Sequence, residues 1–160
     1  MQHPGRRRIS GPCSVTAGRR GAGETGEARK TMFLNRRRLL SDRARLGRWG
    51  EKRCERFLRD KGLRTLARNY SCKLGELDLV MVAADGTMVF VEVRTRADES
   101  FGPAEATITP TKRQRLVRAA RFFLTAERID DRPLRFDVVT LILGRSGKAQ
   151  IRHYENAFVP

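Results

Sequence analysis

The chain is short of cysteine, histidine and acid, and it has no long apolar run. Its three cysteines, Cys13, Cys54 and Cys72, are odd in number and widely spaced, which excludes a disulfide framework and a close-spaced thiolate zinc site. The two histidines, His3 and His153, add no Cys/His cluster, and such thiol usage is expected in a reducing cytoplasm. No stretch approaches the roughly 18 consecutive apolar residues of a membrane span, and the N-terminal region lacks the apolar core of a signal peptide. A Gly-rich phosphate loop, a Ser-His-Asp arrangement and an internal repeat are also missing.

Acid is scarce against base: 18 Asp and Glu face 34 Lys and Arg, a formal charge of +16. Residues 1–42 carry ten of those bases and three acids, with Gly, Ser and Thr but no apolar periodicity. They read as a basic, disordered extension. It either precedes a start at Met32, resembles a transit peptide in composition, or acts as a phosphate-binding arm. Residues 43–160 are basic in their own right, and 39% apolar content suffices for one core. The surplus favours a polyanionic partner, nucleic acid ahead of anionic membrane, with plain solubility charge as the alternative.

With acids so few, those inside apolar strands are conspicuous. Leu77, Leu79 and Met81 alternate with Asp78, Val80 and Val82. After Ala84-Asp85-Gly86 the run Met88–Val93 is rich in β-branched and aromatic residues, which predicts a hairpin. A three-residue loop with Gly86 left-handed sets Ala83 opposite Thr87 and Asp78 opposite Glu92. A two-residue loop at Asp85-Gly86 would put Asp78 on the wrong face. Under the first register Asp78, Glu92 and Arg94 converge on one patch. Two neighbouring carboxylates repel unless a cation sits between them. Mg2+ or Mn2+, held by one or two carboxylates plus substrate phosphate, fits that need and suits phosphodiester hydrolysis, with Arg94 on phosphoryl oxygens. A solvent-facing acid–arginine cluster is the plainer reading.

Elsewhere, Leu46, Trp49, Cys54, Phe57 and Leu58 predict an amphipathic helix over 43–61 stopped at Gly62. Glu51 falls at the edge of its apolar face, either leaning towards the acids or pairing on the surface. Leu63–Cys72 reads as a strand and 97–108 as a loop. Thr109-Pro110 caps and opens a second helix, whose apolar stripe is Leu116, Val117, Ala120, Phe123 and Leu124. Its remaining faces carry Lys112, Arg113, Arg115, Arg118 and Arg121, a phosphate-contacting surface or a solvated one. Arg135–Leu143 and Lys148–Tyr154 predict two more strands around Gly144-Arg145-Ser146-Gly147, with Asp137 structural. The expected order is αβββαββ, an α/β sandwich with a mixed central sheet.

GRWGE at 47–51, ARNYSCKLGELDLV at 67–80, VFVEVRTR at 89–96, FGPAEATITPTKRQRL at 101–116, RFDVV at 135–139 and ENAF at 155–158 closely resemble the YraN-type family of bacterial proteins. The resemblance spans about residues 43–160. It implies the restriction-endonuclease-like fold and an activity like that of Holliday-junction resolvases, a metal-dependent endonuclease on branched DNA. It also makes Asp78 and Glu92 the metal ligands, Glu51 the helix-borne catalytic acid and Arg94 the occupant of a lysine position. Arginine is a departure there, since a guanidinium cannot act as a base. Lys73 or Lys112 would have to supply an ammonium. Lys73, Arg96, Lys112, Arg113, Arg115 and Arg118 are the candidate nucleic-acid contacts. A resolvase-like activity implies a two-fold dimer. A non-catalytic nucleic-acid-binding protein, or an adaptor docking DNA-processing proteins, on the same scaffold is the rival expectation.

Overall fold

The computed structural model describes residues 38–96, 108–143 and 149–160. The expected N-terminal extension up to residue 37, the loop over 97–107 and the turn at Gly144-Arg145-Ser146-Gly147 lie outside the described residues. Helix α1 is Arg43–Asp60, followed by β1 Arg64–Cys72, β2 Gly75–Val82 and β3 Met88–Arg96. Helix α2, Pro110–Ala126, leads to β4 Leu134–Leu143 and β5 Ala149–Phe158. The order is therefore αβββαββ.

Both helices start where their sequences offer a cap. The Asp42 carboxylate accepts the Arg45 N–H at 3.0 Å, and the Thr109 hydroxyl accepts that of Lys112 at 3.2 Å with Pro110 in the first turn. The strands form one five-stranded sheet in the order β1-β2-β3-β4-β5, in which only the β3/β4 pair is parallel. α2 makes the crossover between those two, as a parallel pair requires. It packs Leu116, Ala119, Ala120 and Phe123 against Val80, Phe90, Phe136 and Val138 on one face. α1 packs Cys54 and Leu58 against Leu79, Met81, Val89, Val139 and Leu141 on the other. The result is a mixed sheet between two helices. Among the described residues no helix is long and apolar enough to cross a membrane.

The β2–β3 loop has three residues. Val82 pairs with Met88 and Leu79 with Val91, Ala83 and Gly86 close the turn through N–H bonds to Thr87 and Ala83 carbonyls at 3.0 Å, and Gly86 takes φ +86°. The expected alternation fails at one point. Leu77 packs with Val80 and Val82 on the α2 face, not with Leu79 and Met81 on the α1 face. Opposite, between the pairs Arg68↔Leu79 and Tyr70↔Leu77, Asn69 takes φ +48°. Both strands thus change face at Asp78. β5 also runs beyond the expected end at Tyr154 to Phe158, whose ring stacks on Phe136 at 4.8 Å. A bulge there puts Asn156 at φ +50°, its N–H donating to Asp137 at 2.9 Å.

Candidate metal and phosphate site

The site lies where β2 and β3 part. Beyond Leu79↔Val91 the Asp78 carboxylate takes the place of a backbone partner and accepts the Val93 N–H at 2.7 Å. Asp78 is thereby held between two strands and not simply on one face, which explains the lost alternation around it. Burial pushes its carboxyl up to about 6, and the neighbouring Glu92 and Glu51 charges push the same way, against the Val93 N–H and the Lys112 ammonium.

Glu92 points to the α2 face, opposite Val138 in the β3/β4 register, and is 5% exposed. Lys112 reaches it from the first turn of α2, with Nζ 3.3 Å from Oε2, and Arg94 Nε lies 3.1 Å from Oε1. Both contacts are close enough to attract. Neither satisfies the hydrogen-bonding capacity of these atoms, because Glu92 Oε2, Arg94 Nε and the buried Thr140 Oγ1 have no hydrogen-bond partner among the described residues. Thr140 sits beside Arg94 in the parallel register. Orphaned buried polar groups are costly, and three on one patch, next to two acids that repel, suit a cation or a phosphate oxygen. Among the described residues no three His, Cys, Asp or Glu side chains form a metal-holding group. A cation here would have Asp78 and Glu92 as protein ligands and would draw the rest from water and substrate, the usual Mg2+ arrangement.

Of the two lysines expected to offer an ammonium, Lys112 is the one that reaches the acids. Its signal was the spacing: it lies four residues before Leu116 and eight before Ala120, both buried, so it extends the sheet-facing stripe of α2. Thr140, a lone hydroxyl within the apolar run Val138–Leu143, was missed. Glu51 lines a cleft together with Arg94 and acts on the Asp78 charge through space, not through a hydrogen bond. Cys54, between these acids and the α1 core, has its thiol pushed up to about 12 by burial and by Asp78 and Glu51. Of the basic candidates, Arg96 borders the same cleft, while Lys73, Arg115 and Arg118 are exposed. Arg113 is committed to the fold, its Nε donating to the Ile108 carbonyl at 3.2 Å and its guanidinium lying 5.5 Å from the Phe158 ring. Asp137 stands apart, on the α1 face, where it accepts from Arg135 and meets His153 Nε2 at 2.9 Å.

A model of the uncharacterised protein family UPF0102 matches residues 50–141. The chain belongs to that family. The matched stretch contains Glu51, Asp78, Glu92, Arg94 and Lys112. Among UPF0102 relatives, the protein of Pelobacter propionicus is 41% identical, over 73% of this chain and 84% of its own length. That of Pelotomaculum thermopropionicum is 44% identical over 75% of this chain and all of its own. That of Cupriavidus taiwanensis is 54% identical over 59% and 72%. A solved structure of Pyrococcus furiosus SfsA in complex with Ca2+ aligns with a TM-score of 0.25 at 15% identity, over 70% of this chain and 61% of that one. A likeness that low carries no argument about this UPF0102 protein.

Proposed function

We propose that this UPF0102 protein is a metal-dependent endonuclease of the restriction-endonuclease-like class, hydrolysing phosphodiester bonds in DNA, branched DNA included. The observation that carries the reading is the meeting of Asp78, Glu92 and Lys112 where β2 and β3 part. Mg2+ or Mn2+ between Asp78 and Glu92 would supply charge for the scissile phosphate and a water of lowered pKa. The protein's own groups do the remainder. The Val93 N–H sets the Asp78 carboxylate in place. Arg94 offers a planar fork to phosphoryl oxygens, and Lys112 an ammonium from the helix, so the lysine absent at position 94 is replaced from another element. Exposed Lys73, Arg115 and Arg118, with Arg96, would position the strand through its phosphates.

Arg94 also favours a second reading, nucleic-acid binding without turnover on the same scaffold. The full chain, incubated with labelled linear, single-stranded, flapped and four-way DNA in Mg2+ or Mn2+, separates the two. Cutting is expected from the parent and none from Asp78→Asn or Glu92→Gln. Lys112→Ala is expected to cut about 100-fold more slowly, the usual cost of losing one charge-stabilising donor. Salt-sensitive binding with no cutting in either metal would leave only the second reading.

A further inference from the structure

A cleft of about 470 Å³ adjoins the acid pair between the start of α1 and the end of β3. Leu46 and Val93, with Leu40 just ahead of the helix, give it apolar walls, and Arg43, Arg94 and Arg96 border it. Asp78 and Glu92 do not line it. It shares Arg94 and Glu51 with their site, so a chain lying in the cleft leads to the acids.

For one residue of its wall, no contact among the described residues requires its identity. Gly47 sits in the body of α1, where glycine costs about 1 kcal/mol against alanine. A Cβ there would meet only Glu51 Oε1, at 4.0 Å. Gly50, one turn on, is different: its Cβ would fall on the Thr95 side chain, so packing requires it. Gly47 leaves space that no described residue fills.

We infer that this cleft receives an unpaired nucleotide of a strand that runs on to the acid site, its base against Leu46 and Val93 and its phosphates on Arg43, Arg94 and Arg96. Paired bases are stacked and present only groove edges and backbone, whereas an unstacked base offers an apolar face to a concave, apolar wall. The volume lies in the range of small-ligand sites, about 300–1,000 Å³. The substrate class that follows is single-stranded or flapped DNA over blunt duplex. The inference rests on the nucleic-acid half of the proposed function.

Equilibrium binding of the full chain in EDTA, where no hydrolysis interferes, tests it with three labelled probes: a single strand, a blunt duplex, and that duplex carrying a single-stranded flap. The parent is expected to bind the strand and the flap about tenfold more tightly than the duplex. Gly47→Phe fills the cleft and, by replacing a helix glycine, should melt no lower than the parent. It is expected to lose most of the preference, as is Arg43→Glu at an exposed position outside the core. A parent that binds all three alike, or a well-folded Gly47→Phe that keeps the full preference, overturns the inference while metal-dependent cutting would leave the nuclease reading intact. Binding to none of the probes overturns both. A preference without hydrolysis in Mg2+ or Mn2+ sinks the nuclease and upholds the cleft.

Discussion

Asp78 is held by one backbone N–H while burial and Glu92 work against its charge. With its carboxyl raised from 3.8 to about 6, the folded chain keeps a proton that the unfolded chain has already lost between those values. This group's contribution is therefore fully present below about pH 4 and is lost as pH rises through about 6, leaving the metal-free protein roughly 2–3 kcal/mol less stable than a neutral residue would. Asp78→Asn should remove that dependence. In denaturant melts with EDTA, the variant's advantage over the parent is expected to grow from pH 4 to pH 7 and then level. An advantage that does not change with pH would show that Asp78 carries no such burden. The acid pair could be named from the sequence because the hairpin turn sets the register. The burden itself could not, because it comes from groups 14 or more residues away and from burial by two helices.

Among the elements, α1 carries two glycines of opposite meaning within GRWGE. Gly50 lets the helix lie directly on β3, which brings Glu51 beside Arg94. Gly50→Ala forces apart Thr95 and the helix, and even the Thr95 Cβ stands only 2.9 Å from the added carbon. We expect a loss of about 1–3 kcal/mol in chemical denaturation, the cost of overpacking a filled contact. No loss would mean that α1 does not rest on β3 at that point. In sequence the two glycines look alike, since helix propensity penalises both and nothing local says which one faces a neighbour. By contrast the start of α2 was legible from Thr109 and Pro110 alone, because capping is satisfied within one turn. Lys112 lay between these cases: grouped in sequence with the other basic residues outside the apolar stripe, it extends that stripe at the 3.6-residue period, and its partner followed only from the crossover that sets α2 over Glu92.

For the whole molecule the dominant quantity is charge. A formal +16, with Arg115, Arg118 and Arg121 exposed on α2, makes binding to nucleic acid depend on released counterions. For three phosphates neutralised, affinity should fall about fortyfold between about 50 and about 200 mM salt. A titration of DNA affinity against salt checks this, and a flat response would argue for a partner other than a polyanion. That expectation needs no tertiary structure, since net charge is a sum over residues wherever they are placed.

Composition, helix and strand periods, caps and the Gly86 turn are short-range properties, and from them the sequence by itself determined the order αβββαββ, the pairing of Asp78 towards Glu92 and the basic character of α2. The tertiary structure alone decided that both strands change face at Asp78, that Lys112 meets Glu92, that Thr140 joins Arg94 on the same patch, and that Gly47 opens a cleft which Gly50 does not. Each of these depends on which surfaces of distant elements are pressed together, and sheet order and crossover, not local spacing, select those neighbours.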